Sequence, residues 1–300
     1  MTILDGKKTS ETIKSEIAQE VEKMKQRDEK APHLATVIVG DDPASQSYVR
    51  SKDRSCKKVG FESTIISLPE TISEEKLIAQ IDSLNKDENI DGFIVQLPLP
   101  KHIDEQTILM LIDPDKDVDG FHPMNFGKMA LDMSSFIPAT PYGILELLSR
   151  YDIPTEGKNT VVIGRSHIVG RPMSILMSRK DTPGNSTVTI AHRHTQNLKE
   201  ITLKAEIIIV AIGTPNFLTA DMVKEGVVVI DVGINRVKDD TAKKGYVLKG
   251  DVDFENVKKK ASYITPVPGG VGPMTVTMLL KNTLIARQKN KEKSKRSLRF

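Results

Sequence analysis

The segment SYVRSKDRSCKKVG, residues 47 to 60, carries a tyrosine and a lysine four positions apart, Tyr48 and Lys52. On a helix the two share a face, and Cys56, the single cysteine of the chain, falls on the same stripe. Two readings stand for Lys52: one more charge on a solvated helix, or an amine placed to do chemistry. A lysine moves protons near neutral pH only when its pKa is lowered, as burial lowers it.

A second cluster is DPDKDVDGFHP, in which Asp113, Asp115, Asp117 and Asp119 alternate before a glycine. Counted from Asp113, the twelfth position is Met124 rather than the bidentate glutamate of a calcium loop, so calcium is not expected. A carboxylate here can instead accept paired N–H donors from a heterocycle. One cysteine also excludes a disulfide framework, argues against a cysteine-rich zinc site and suits a reducing cytoplasm. No metal is expected.

The third candidate is NTVVIGRSHIVGRPMSILM, an apolar run, a glycine loop and a helix start. Gly164 suits the turn, Gly170 permits close approach, and the helix N-terminus suits a pyrophosphate. The spacing is not G-x-G-x-x-G, because Ser166 takes the second glycine position. The next strand runs into AHRHT, with Arg193 and no acid to take a ribose hydroxyl. Arg165 in the first loop and Arg193 in the second suit a 2′-phosphate, which guanidinium forks match. NADP is therefore expected ahead of NAD. AIGTPNFL and DVGIN end strands on Gly213 and Gly233, and TPVPGGVGPMT crowds prolines and glycines into a loop that feeds a helix near Pro273.

Elements that hold these groups follow from the alternation of short apolar runs with longer amphipathic stretches. Helix Ser10 to Lys25, strand Leu34 to Val39, the Tyr48–Lys52 helix, a strand near Ser63 to Ser67, helix Ser73 to Asn85 and strand DGFIVQLPLP form a βαβ series. The prolines of LPLP leave Gln96 near the carboxyl end of that strand, where open α/β sheets bind ligands. After an irregular stretch from Ile112 to Pro141 come helix YGILELLSRY and strands NTVVIG, STVTIA, EIIIVAIG, GVVVIDVG and SYITPV. The expected fold is α/β in two lobes: residues 1–140, a parallel-sheet domain joined by a returning helix 273–287, and residues 141–272, a Rossmann-like NAD(P)-binding domain. A cleft is expected between them, and residues 288–300 are expected to be a disordered basic tail.

Three hundred residues accommodate two such lobes. With 38% hydrophobic and 28% charged residues the chain is neither disordered nor membrane-embedded in composition. No apolar run reaches the length of a membrane span, and MTILDGKKTSETIK lacks a signal-peptide core. Net charge is +3, with the basic excess in RQKNKEKSKRSLRF. No aromatic side chains separate those charges, so a solvated end is favoured over a nucleic-acid contact.

Taken in order, SYVRSKDRSCKKVGF, DGFIVQLPLPKHI, DKDVDGFHPMNFG, PATPYGILELL, VVIGRSHIVGRPM and TPVPGGVGPMTVTMLLKNT resemble the bifunctional methylenetetrahydrofolate dehydrogenase/methenyltetrahydrofolate cyclohydrolase family over about residues 1 to 286. The resemblance implies oxidation of 5,10-methylenetetrahydrofolate with NADP, then hydrolysis of the methenyl cation to 10-formyltetrahydrofolate. It implies Lys52 as the catalytic lysine, with Tyr48, Gln96 and Asp119 beside it and Leu97 also touching folate. It places Gly164, Arg165, Ser166, Arg193, Gly213, Ile234 and Thr275 at the dinucleotide, and Pro268, Gly269, Gly270 and Val271 at the nicotinamide and folate. A homodimer in the cytoplasm, free of nucleic acid and membrane, is the implied state. Departures are Ala139 where many members have cysteine, Arg193 where many bacterial members have serine, and His122 after DVDGF. An HR-type loop also resembles mitochondrial members that use NAD with phosphate. The competing readings are a monofunctional dehydrogenase of another small substrate and a non-catalytic folate or nucleic-acid binder.

Overall fold

The computed structural model describes residues 1–242 and 245–297. The first half of the chain runs β1 (Thr2–Ile3), α1 (Gly6–Gln26), β2 (His33–Val39), α2 (Pro43–Lys58), β3 (Glu62–Leu68), α3 (Glu74–Lys86), β4 (Gly92–Val95), α4 (Glu105–Leu111), α5 (Pro123–Ala130) and α6 (Ala139–Arg150). The second half adds β5 (Asn159–Ile163), α7 (Gly170–Ser178), β6 (Thr187–Ala191), α8 (Leu198–Lys204), β7 (Ile207–Val210) and β8 (Val228–Asp231). It closes with β9 (Asn235–Lys238), β10 (Tyr246–Lys249), α9 (Phe254–Val257), β11 (Tyr263–Ile264) and α10 (Val271–Ser297). No helix among the described residues is long and apolar enough to cross a membrane.

Two compact units result. The N-terminal unit comprises Glu11–Lys128, Ser134–Ala139 and the chain from Val276 onward. Its sheet is parallel in the order β3-β2-β4, with Val37 paired to Ile66 on one side and Val95 on the other. All four residues of β4 are buried, as a central parallel strand must be when both faces are covered. Ala35, Val37, Phe93 and Val95 pack against Leu77, Ile81 and Ile108 of α3 and α4 in one core. Ser73 caps α3 by accepting from Lys76 N, and Asp104 caps α4 through Gln106 N and Thr107 N.

The C-terminal unit comprises Met1–Ser10, Met129–Met133 and Thr140–Thr275. Its six strands follow the order β1-β11-β8-β7-β5-β6, all pairs parallel. The crossover of strand order next to β5 is the switch point of a doubly wound sheet. β9 and β10 form a separate antiparallel pair. Val161, Ile163, Ile208, Val210 and Val229 build the core of this unit.

Three features differ from the sequence reading. Thr2–Ile3 pairs with Tyr263–Ile264, so the first ten residues go with the C-terminal unit rather than with residues 1–140. A helix, α5, occupies part of the stretch expected to be irregular. Residues 288–297, expected as a disordered tail, continue α10, because no proline or glycine interrupts the chain after Pro273 and Arg287, Asn290 and Lys291 bond to Lys30 O, Asp91 and Glu29. Residues 298–300 lie outside the described residues.

Candidate active site

α2 begins at a built cap: Asp42 accepts from Ser45 N at 2.7 Å and Pro43 opens the first turn. Its inward stripe is Ser45, Val49, Lys52, Cys56 and Val59, all buried. Lysine thus stands where the helix period calls for an apolar residue, and packing of the stripe takes its ammonium out of water. Lys52 is 5% exposed.

The partner comes from the end of β4. Gln96 directly follows the strand, and its N–H donates to Val37 O at 2.8 Å, which fixes the backbone there. The side-chain amide is locked from both ends: Nε2 donates to Leu97 O at 2.7 Å, and Oε1 accepts from Lys52 Nζ at 3.2 Å. The ammonium also lies 4.7 Å from the centroid of the Tyr48 ring, one turn back on α2.

Asp119 completes the group. Asn282 of α10 donates both amide hydrogens, to Val118 O at 2.8 Å and to Ile137 O at 3.0 Å, so the peptide leading into Asp119 is pinned. Gly120 follows with φ +75°, and any Cβ there would lie 2.7 Å from Pro138 N. Asp117 holds the far side by accepting from His122 N at 2.8 Å, Phe121 N at 3.2 Å and Asn125 Nδ2 at 2.9 Å. Burial pushes the Asp117 carboxyl up to about 6 against these donors.

Electrostatically the three groups form one set. Burial lowers the Lys52 pKa, and the negative charge of Asp119 partly opposes it. Burial raises the Asp119 carboxyl, opposed by Lys52. The Tyr48 phenol is raised by burial and by Asp119, although the residue as a whole remains 37% exposed. Cys56 is fully buried with its thiol pushed up to about 12 by burial, so it is a packing residue and no nucleophile.

In the C-terminal unit the residues expected at a dinucleotide gather at the carboxyl ends of adjacent strands. Gly164 follows β5 at φ +123°, and a side chain there would strike Ala211 O. Ser166 Oγ accepts from Val169 N at 3.2 Å and Gly170 N at 3.3 Å, which shapes the entry to α7. Ile163 pairs with Ala191, so Arg165 and Arg193 each stand two residues beyond a paired couple on neighbouring strands. Both are exposed, and Arg193 Nε donates to His194 Nε2 at 3.1 Å. Gly213 has φ +69° after β7. Ile234 is exposed after β8, and Thr275 Oγ1 lies 3.0 Å from Thr140 Oγ1. Pro268, Gly269, Gly270 and Val271 form the turn into α10, held by Gly270 N to Pro266 O at 2.8 Å and Lys7 N to Gly269 O at 2.9 Å. These close backbone approaches fit a dinucleotide: a glycine cradle, a helix N-terminus and two exposed guanidinium groups.

Two family models match this chain: tetrahydrofolate dehydrogenase/cyclohydrolase, catalytic domain, over residues 4–119, and its NAD(P)-binding domain over residues 138–291. The chain belongs to the tetrahydrofolate dehydrogenase/cyclohydrolase family. It is 68% identical to the bifunctional protein FolD of Flavobacterium johnsoniae, over 98% of this chain and 100% of that protein. The crystal structure of the bifunctional FolD enzyme of Campylobacter jejuni matches with a TM-score of 0.91 at 48% identity, over 96% of this chain and 99% of that one. The Trypanosoma brucei enzyme, solved with NADP and an inhibitor, matches with a TM-score of 0.91 at 37% identity, over 96% and 98% of the two chains.

Within this family framework the structure adds residues that sequence reasoning missed. Asn282, Asp231 and Asp251 carry polar bonds inside the units and have no place among the residues expected from the sequence. A signal existed for two of them: Asp231 interrupts the apolar run VVVIDVG, and Asn282 interrupts MTVTMLLKNT. Their partners lie far away in sequence, and nothing local names those.

Proposed function

We propose that this chain oxidises 5,10-methylenetetrahydrofolate to the methenyl form with NADP and then hydrolyses it to 10-formyltetrahydrofolate. The observation that carries the reading is Lys52: a buried amine whose pKa burial lowers despite the charge of Asp119, with its hydrogen bond made to the neutral amide of Gln96. A carboxylate in place of Gln96 would stabilise the ammonium; the amide orients the amine and leaves its pKa low.

Residue by residue, Tyr48 offers an aromatic face to the aminobenzoyl ring, and Asp119 accepts N–H donors of the pterin. Leu97, which follows Gln96, would touch the folate, and Pro268 to Val271 of the C-terminal unit would touch bound ligand. Lys52 takes a proton from the water that attacks the methenyl carbon and returns one as the ring opens, with Gln96 directing its lone pair. The methenyl group is already cationic, and its charge near Lys52 lowers the amine pKa further. NADP, when bound, accepts the hydride of the methylene carbon. Gly164 and Ser166 with the α7 N-terminus would hold its pyrophosphate, Arg165 and Arg193 its 2′-phosphate, and Gly213, Ile234 and Thr275 its nicotinamide half.

The same reading extends to assembly and place. A homodimer is supported by β6, an edge strand that exposes Thr187, Thr189 and Ile190. A reducing cytoplasm suits a chain whose single cysteine is buried.

The deciding experiment measures methylenetetrahydrofolate oxidation with NADP and with NAD, with and without phosphate, alongside opening of supplied methenyltetrahydrofolate. Turnover of both folates with NADP preferred is expected. Oxidation without any methenyl opening would reduce the protein to a dehydrogenase, and a preference for NAD would overturn the roles of Arg165 and Arg193.

A further inference from the structure

We propose that Asp251 is a positioning residue of the dinucleotide site, holding the turns after β7 and β8 in place for the cofactor. Its side chain is fully buried and carries three donors. Oδ2 accepts from Ile212 N at 2.8 Å and Gly213 N at 2.9 Å, and Oδ1 accepts from Asn235 Nδ2 at 2.8 Å. Two more bonds tie the first turn to the same segment, Asn216 N to Gly250 O at 3.2 Å and Leu218 N to Asp251 O at 3.0 Å.

A second buried carboxylate fixes Asp251 itself. Asp231, the last residue of β8, accepts Asp251 N at 2.9 Å and Gly233 N at 2.9 Å on Oδ1, and Val252 N at 3.0 Å on Oδ2. The packing is reciprocal: a Cβ on Gly233 would strike the Asp251 carboxylate, and a Cβ on Gly250 would strike that of Asp231. Each acid therefore lies against a glycine beside the other, and neither can shift alone. Past the ends of β7 and β8 the sheet no longer supplies acceptors for Ile212, Gly213 and Gly233, so the carboxyl oxygens of the two acids take the place of the missing ladder. Those turns carry Gly213 and Ile234.

The inference rests on the reading that Gly213 and Ile234 meet the dinucleotide. Asp251→Asn keeps the shape but turns one acceptor into a donor facing N–H groups. Calorimetric titration with NADP, in the full-length protein, is expected to show affinity weakened about tenfold or more, with KM for NADP raised in parallel. Hydrolysis of supplied methenyltetrahydrofolate, which needs no NADP, is expected within about twofold of wild type. Unchanged NADP affinity overturns the proposal, as does an equal fall in both activities, which marks a merely structural role. Asn235→Ala keeps the carboxylate and removes one donor; it is expected to weaken NADP about threefold, and no change there also counts against the proposal. Wild-type protein that binds no NADP overturns the dinucleotide reading as well, and is told apart because it appears without any substitution.

Discussion

Lys52 Nζ donates to Gln96 Oε1 at 3.2 Å, joining the middle of α2 to the end of β4 across 44 residues. The bond gives a buried amine a direction without giving it a counter-charge.

Lys52→Met removes the proton carrier and keeps a flexible side chain of similar length on the stripe. Hydrolysis of methenyltetrahydrofolate is expected to fall by about a hundredfold or more, with folate affinity retained. Steady-state hydrolysis and equilibrium folate binding check this. Retained hydrolysis would remove the lysine from the mechanism.

Gln96→Glu puts a carboxylate at the same distance. The opposite charge favours the ammonium, so the pKa of Lys52 rises from its lowered value toward and beyond the ordinary lysine range. As the free amine is the base, the rising limb of the pH–rate profile is expected to move up by about one to three pH units. An unshifted limb would show that another group titrates there.

Arg165→Ser together with Arg193→Ser removes both exposed guanidinium groups beyond β5 and β6. The ratio of kcat/KM for NADP to that for NAD is expected to fall about tenfold or more, while methenyl hydrolysis persists. A ratio that stays constant assigns the choice of cofactor elsewhere.

Asp231 gives stability a pH dependence of unusual sign. Burial raises its carboxyl from the ordinary 3.8 to about 7, so between those values the folded chain holds a proton that the unfolded chain has lost. This group's contribution to stability is therefore highest in acid and declines as pH rises from about 4 to about 7, by on the order of 4 kcal/mol. Carboxylates lowered by partners, such as Asp221 beside Lys199 at about 2, act in the opposite direction and at lower pH. Urea midpoints at pH 5, 7 and 8.5 for wild type and Asp231→Asn should converge in their difference above pH 7; parallel curves throughout would disprove the raised carboxyl.

The sequence alone determined what depends on neighbours within a turn or two. Apolar runs located β2, β4, β5, β7 and β8, because a parallel strand buried on both faces needs a largely apolar stretch. Gly164 and Gly213 were readable as turns, since positive φ excludes most side chains. The stripe through Tyr48, Lys52 and Cys56 was readable from helical spacing. Two-residue β1 left no pattern to read, and its pairing with Tyr263 and Ile264 depends on chain distant by more than two hundred residues.

Only the tertiary structure decided the chemistry. The stripe could have faced water, and Lys52 would then have kept an ordinary pKa; burial by the packing of α2 on its sheet sets it lower, against the opposing charge of Asp119, which folding brings from another segment. The Asp231–Asp251 arrangement and the clamp of Asn282 on Val118 O, 164 residues away, likewise exist only after folding. Local patterns encode dihedral angles and faces, whereas a pKa depends on which distant groups exclude water and which remain as partners.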